Sequence, residues 1–217
     1  MTNSNETNDG LKLSDRATLS LLSTLESEDS LSQRGLAARI GVALGFTNSL
    51  LKRAVHKGLV KVQQAPAKRF AYYVTPKGFS EKSRLVADYL ASSLTFFRQA
   101  REEYVSVFEH IKDQRCQRIA LFGIGELAEI AVLSAQECDV ELQAVIHPGS
   151  NHKTFSELSV ISNLEGLNAS DYDAVVITNA ETPQEAYEAL VAHFGQKSIY
   201  AVPLLHISQS SNGRVEP

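Results

Sequence analysis

Residues 32–62, SQRGLAARIGVALGFTNSLLKRAVHKGLVKV, decide the fold of this chain. Ser32 is an N-cap type, and Leu36, Ala37 and Ile40 share one face of the helix it would open. Gly41 stops that helix, because a residue without Cβ takes the left-handed turn at little cost. A second helix is predicted from Leu44 to Lys57, with Leu50, Leu51, Ala54 and Val55 inward. Gly58 ends it, and Leu59–Val62 alternates with period two, as a half-buried strand does. Helix, tight turn, helix and strand together read as a helix-turn-helix running into a wing.

Charge agrees with the pattern. Between Ser30 and Ser80 stand Arg34, Arg39, Lys52, Arg53, Lys57, Lys61, Lys68, Arg69 and Lys77, with no Asp or Glu. The whole chain carries a net charge of −4, so this segment departs from its background. A phosphate backbone attracts such a surface whatever its base sequence, which makes double-stranded DNA the expected partner. In the second helix Thr47, Asn48 and Lys52 are the candidates for base edges. Gln33, Arg53, Lys68 and Arg69 are the candidates for phosphates or groove edges. A solvated basic face, or a winged helix used for protein contacts, is the competing expectation.

At 217 residues the chain suits one large or two modest domains. No run of eighteen apolar residues exists, and the first ten, MTNSNETNDG, lack an apolar signal core. Cys116 and Cys138 form neither a metal pattern nor a disulfide framework, which fits a reducing cytoplasm. Residues 1–80 hold eleven Lys/Arg against six Asp/Glu, and residues 118–217 hold four against thirteen. That asymmetry predicts two domains with different partners.

Leu11–Glu26 places Leu13, Ala17, Leu21 and Leu22 on a helical stripe, the support helix of a three-helix unit. Glu28–Ser30 make the loop that follows. After the first wing strand, Pro66 breaks QQAPAKRF into a loop, and Phe70–Thr75 returns as a strand. Pro76 then opens a helix, where its missing N–H loses no partner. The run from Ser32 through RFAYYVTPKGFSEKSRLV resembles a MarR-type winged helix over roughly residues 14–90. It is most similar to the group associated with exopolysaccharide operons, in which a TPKG-x-x-EK segment follows the wing. The resemblance implies a dimeric, sequence-specific transcription regulator. Phe46, at the front of the second helix, departs from it as an apolar choice.

Lys77 to about Gln114 reads as one long helix, without Pro or Gly beyond Gly78. Val86, Leu90, Ser93, Phe97, Ala100, Tyr104, Val107 and Ile111 step by four and three, a heptad seam expected to pair with a second copy. Packing of this helix on its own domains is the alternative. A homodimer also suits DNA binding, because a two-fold protein matches a pseudo-palindrome.

From Gln117 the period changes. RIALF (118–122) is a short apolar strand, Glu126–Glu137 a helix carrying Leu127, Ile130, Ala131 and Leu133, and Val140–Ile146 a second strand. Leu158–Ile161 is a short apolar piece. Asp173–Thr178, Pro183–Phe194 and Ser198–Val202 read as strand, helix and strand. Such alternation predicts a small parallel sheet of Rossmann-like form. Gly123-Ile-Gly125-Glu126-Leu-Ala128 follows the first strand directly, where a G-x-G-x-x-A turn admits a phosphate at a helix N-terminus. Against a dinucleotide, Glu126 puts negative charge beside the phosphate, and His147 stands where an acid would hold the ribose. Residues 118–148 resemble the nucleotide-sugar-binding part of sugar O-acyltransferases and, more loosely, CoA- and NAD-binding domains. Glycines that serve only helix–strand packing are the alternative. If a ligand binds, Gly123, Gly125, Glu126, His147, Ser150, Thr178 and Asn179 should line its crevice. His147 and His152 without a carboxylate or Cys companion make a poor metal pair.

The expected architecture is therefore α/β. A tail (1–10) precedes a winged-helix domain (11–79), a linking and dimerising helix (80–115), a Rossmann-like sensor domain (116–207) and a frayed tail (208–217). The expected function is a cytoplasmic, homodimeric DNA-binding regulator with a small-molecule effector, a nucleotide sugar or a dinucleotide being the candidate. No cofactor and no metal are assigned, no membrane partner is expected, and no catalytic constellation appears. A redox regulator of Rex type, a nucleotide-sugar enzyme with an accessory winged helix, and a protein–protein scaffold are the competing functions.

Overall fold

Ser32 opens its helix as the sequence requires, its Oγ accepting a hydrogen bond from the Gly35 N–H at 3.1 Å. The computed structural model describes residues 13–27, 32–65 and 69–208, and it divides into two units, Met1–Thr95 and Phe96–Pro217. The expected N-terminal tail, the Glu28–Ser30 loop, Lys68 and residues 209–217 lie outside the described residues.

The first unit contains α1 (Leu13–Ser27), α2 (Gln33–Ile40), α3 (Leu44–His56), β1 (Val60–Ala65) and β2 (Arg69–Val74). Its core joins Ala17, Leu21, Leu22 and Leu25 of α1 to Leu36 of α2 and to Leu50, Leu51 and Ala54 of α3. Leu13 does not belong to the stripe. It is 80% exposed, and Leu25 closes the apolar face instead. Gly41 adopts φ 74°, the left-handed turn expected between α2 and α3. The wing is an antiparallel pair running from Val60 opposite Val74 to Ala65 opposite Arg69. The first strand thus reaches the residue before Pro66, three further than the alternation at Leu59–Val62 indicates.

α4 spans Pro76–Asp113, 38 residues without a break. Its start is fixed by a cluster of polar contacts. The Thr75 hydroxyl donates to the Gly58 and Leu59 carbonyls at 2.6 and 3.2 Å and accepts from the Gly78 N–H at 3.1 Å. Lys77 Nζ donates to the Lys57 carbonyl at the end of α3. Gly78 is required by space: a Cβ there would lie 2.1 Å from the Leu59 carbonyl oxygen. This accounts for the TPKG run in physical terms, as cap, first-turn proline, tether and close approach.

The heptad seam on α4 divides in two. Ala100, Tyr104 and Ile111, with Phe108, are fully buried in the second unit's core. Val86, Leu90 and Phe97 are exposed, as are Tyr89, Leu94 and Phe96 beside them. The C-terminal half of the seam therefore follows the alternative, packing within its own chain, and only the N-terminal part is left for a second copy.

The second unit adds β3 (Ile119–Phe122), α5 (Glu126–Glu137), β4 (Leu142–Ile146), β5 (Thr154–Phe155), β6 (Leu158–Ile161), β7 (Ala174–Ile177), α6 (Pro183–Phe194) and β8 (Ile199–Tyr200). The sheet order is β5-β6-β4-β3-β7-β8, parallel except for the β5–β6 hairpin. Counting the parallel strands in chain order gives 3-2-1-4-5, a doubly wound sheet with its switch point between β3 and β7. β3 and β7 are buried at every position, which explains their unbroken apolar runs. Leu133 of α5 is 53% exposed, and Ala128, Ser134 and Ala135 take the inward positions. The last strand is shorter than Ser198–Val202, because 3-10 turns at Gln196–Ser198 and Pro203–Leu205 crowd it on both sides.

We predict that Gly78→Ala destabilises the first unit by about 2 kcal/mol. Alanine gains up to about 1 kcal/mol in helix propensity, but overlap with a backbone carbonyl costs more. Urea unfolding followed by circular dichroism measures the balance, and a neutral or stabilised variant would contradict the packing described.

Candidate nucleic-acid interface and glycine turn

The phase of α3 follows from its core residues. With Leu50, Leu51 and Ala54 inward, Thr47 lies on the same face, three, four and seven residues earlier. Thr47 is fully buried, and its hydroxyl donates to the Ala43 carbonyl at 3.2 Å. The expectation that Thr47 touches bases is therefore corrected. Asn48 is half-buried and faces the wing, and its Oδ1 is shielded without a hydrogen-bond partner. Lys52 and Arg53 are exposed, as predicted, together with Phe46, Ser49 and His56. The outward surface of α3 thus runs Phe46, Ser49, Lys52, Arg53 and His56, three of which, Phe46, Ser49 and His56, were not among the candidate contacts. Their signal was the helical phase itself.

Gln33, at the first turn of α2, donates from its amide to the Tyr72 hydroxyl of β2 at 3.0 Å. It ties α2 to the wing as well as standing exposed. Between α3 and the wing lies an open cleft of about 580 Å³, whose lining includes Gln33, Asn48, Lys52, His56 and Tyr72. Arg69 opens β2 as backbone, opposite Ala65. Exposed Arg34, Lys57 and Lys61 continue the basic surface.

In the second unit the turn after β3 is held largely by the protein itself. Gly123 N–H donates to the Ile146 carbonyl at 2.9 Å, and Ile124 N–H donates to His147 Nδ1 at 3.2 Å. The Thr178 hydroxyl lies 3.0 and 2.7 Å from the Phe122 and Gly123 carbonyls and is almost fully buried. A Cβ on Gly123 would meet the Asn179 backbone at 2.7 Å, so this glycine serves β3–β7 packing. Gly125 differs. At φ 148° its Cβ position faces open space, and it begins α5 without a side-chain cap. Asn179 Oδ1 accepts from Glu181 and Thr182 N–H at 2.9 and 3.0 Å, organising the entry to α6. Ser150 Oγ accepts from the His152 N–H. Glu126 is exposed at the α5 start.

The seven crevice candidates therefore share one end of the sheet, but Thr178 and Asn179 have structural partners, and His147 latches the turn. Tyr104, read from the sequence only as a seam residue of α4, contributes at this end of the sheet. Its buried hydroxyl donates to the Ile177 carbonyl at 3.0 Å, bringing α4 onto the end of β7. Burial holds its phenol well above the ordinary range, so it remains a donor.

At the opposite end of the central strands, Asp173 accepts from Arg118 and from the N–H groups of Arg118 and Gln117, at 2.9 and 3.0 Å for the latter two. Chiefly the Arg118 guanidinium, then those two N–H groups, depress its carboxyl to about 2. Cys116 packs nearby, its thiol pushed up by burial and by Asp173, which disfavours the reactive thiolate.

No protein-family model and no curated protein matches the chain. Solved structures similar to it are transcriptional regulators. The PcaV regulator from Streptomyces coelicolor is 22% identical, over 46% of this chain and 75% of its own, with a TM-score of 0.37. A MarR-family regulator from Rhodococcus sp. RHA1 is 23% identical over 40% and 61%, at 0.35. Wild-type MarR from E. coli is 20% identical over 34% and 56%, at 0.31. The chain spans less than two thirds of the last two. Among the described residues no helix is long and apolar enough to cross a membrane.

The Asp173 cluster has a pH signature. A carboxyl depressed in the folded state stabilises above its unfolded value, and that contribution disappears as pH falls towards 2. Because the pair is partly solvated, Asp173→Asn should cost roughly 1 kcal/mol at pH 7. The difference from the parent should shrink in melts taken between about pH 4 and pH 2. A gap that persisted there would point to packing instead.

Proposed function

We propose that this protein is a DNA-binding transcription regulator whose first unit docks α3 in the major groove. The observation that carries this is the outward face of α3, with exposed Ser49, Lys52 and Arg53 set in a segment free of acidic residues from 30 to 80. Winged-helix architecture provides the rest: α2 and α1 support α3, and the β1–β2 hairpin reaches beside it. Arg53 and Lys52 supply cations, and the uncapped N-terminus of α3 favours phosphate.

The regulator acts as a homodimer in the cytoplasm, paired through the exposed part of α4. Val86, Tyr89, Leu90 and Phe97 are apolar and exposed there, which supports pairing with a second copy. The second unit senses a small metabolite and is not an enzyme. Its 3-2-1-4-5 strand order and the open space at Gly125 support ligand binding at the start of α5. His147, bonded to the turn where a ribose-holding acid would stand, favours a nucleotide sugar over NAD. Control of surface-polysaccharide genes is the corresponding role. A ligand acts here only through its differential affinity for two arrangements of the dimer.

Charge reversal of Lys68 and Arg69 to Glu should weaken binding to every duplex and reduce the slope of log affinity against log salt by about one to two. Fluorescence anisotropy over a salt series reads this, and unchanged affinity would remove the wing from the interface. Isothermal titration should give heat with a UDP-sugar and none with NADH. The reverse result would favour the Rex-type redox reading, and no heat from either would leave the glycines as packing elements.

A further inference from the structure

α3 carries an apolar residue where its neighbours are polar. Phe46 is 38% exposed and belongs to neither hydrophobic core. A single exposed aromatic is ordinary on a protein surface. This one lies in the first turn of α3, on the face shared with Ser49 and Arg53 at three and seven residues' distance. Gly45 beside it has open space around its Cβ position, so nothing crowds this end of the helix. The α3 N-terminus has no side-chain cap, and the acid-free segment around it complements a polyanion. An aromatic ring set in such a surface meets one apolar group in the major groove, the C5-methyl of thymine.

We propose that Phe46 is a specificity-determining residue that packs on a thymine methyl, with Arg53 reading a guanine further along the same groove. This rests on the DNA-binding reading above. Seven residues of helix advance roughly 10 Å, or about three base steps, so the half-site should place a thymine and a guanine about three base pairs apart. Ser49, between them, has a hydroxyl that suits either base as donor or acceptor. Phe46 adds no charge, so it contributes to sequence preference and not to the salt-dependent attraction.

The experiment uses the full chain. A duplex is first enriched from a randomised library by the parent protein, and affinity is then measured with each thymine replaced in turn by deoxyuridine, which removes only the methyl. One position should weaken the parent about fourfold, as expected for one buried methyl. Phe46→Ala should bind the thymine and deoxyuridine duplexes equally, with the parental salt slope, because no charge is lost. Phe46→Leu should recover part of the discrimination. Circular dichroism melts should match the parent for both variants, because the side chain lies outside the core.

Indifference of the parent to deoxyuridine at every position would overturn the proposal, as would discrimination retained in Phe46→Ala. Salt-dependent binding without any enriched sequence overturns it too, but leaves the DNA reading standing. Absence of salt-dependent binding to any duplex removes both.

Discussion

Everything in the first unit converges on the close approach of Gly78 to the Leu59 carbonyl. At that point the end of α3, the start of β1, the end of β2 and the first turn of α4 meet within a few ångströms. Leu59 N–H closes α3 on the Ala54 carbonyl, and Thr75 N–H returns to the Leu59 carbonyl. The Thr75 hydroxyl and the Lys77 ammonium take further carbonyls that the helix end and turn leave open. Because these groups are backbone carbonyls, the junction depends on geometry more than on the identity of neighbouring side chains. It fixes the angle between α3 and the wing, and hence which residues of α3 face outward.

The long helix after that junction shows what periodicity can and cannot reveal. A step of four and three states that one face is apolar, and it is silent about what covers that face. Val86 and Leu90 satisfy the pattern exactly as far as Tyr104 and Ile111 do, yet the first pair is exposed and the second fully buried. The difference lies in what the chain does later. Only after β3–β8 fold is there a sheet for Tyr104 and Phe108 to pack against. Element existence and type were legible from Lys77 to Gln114, and the division of the seam was not.

At α3 the shortfall was of another kind. Polar residues at the front of the helix suggested base contacts at Thr47 and Asn48, but the core positions already determined the phase. With Leu50, Leu51 and Ala54 inward, Thr47 had to follow them, and its hydroxyl could be buried cheaply by bonding back to Ala43. Phe46 and Ser49 then had to face outward. Phase was therefore the better guide than residue chemistry. In the second unit the parallel strands and the site of the glycine turn were readable because buried parallel strands are short apolar runs whose carboxyl ends fall at fixed places, whereas the strand order was not. Leu158–Ile161 was visible as an apolar piece, but its hairpin partner β5 escaped because a two-residue strand carries no period.

The two glycines of the turn separate the demands of folding from those of binding. Gly123 would be required with no ligand at all, since any Cβ strikes the Asn179 backbone. Gly125 has no such neighbour, and its φ of 148° is a conformation that side chains other than glycine's resist. That backbone conformation alone is enough to require glycine at the second position. His147 occupies Ile124 N–H through Nδ1 and leaves the first-turn N–H groups of α5 outside that latch. An anion entering there meets backbone donors and the positive end of a helix, but also exposed Glu126.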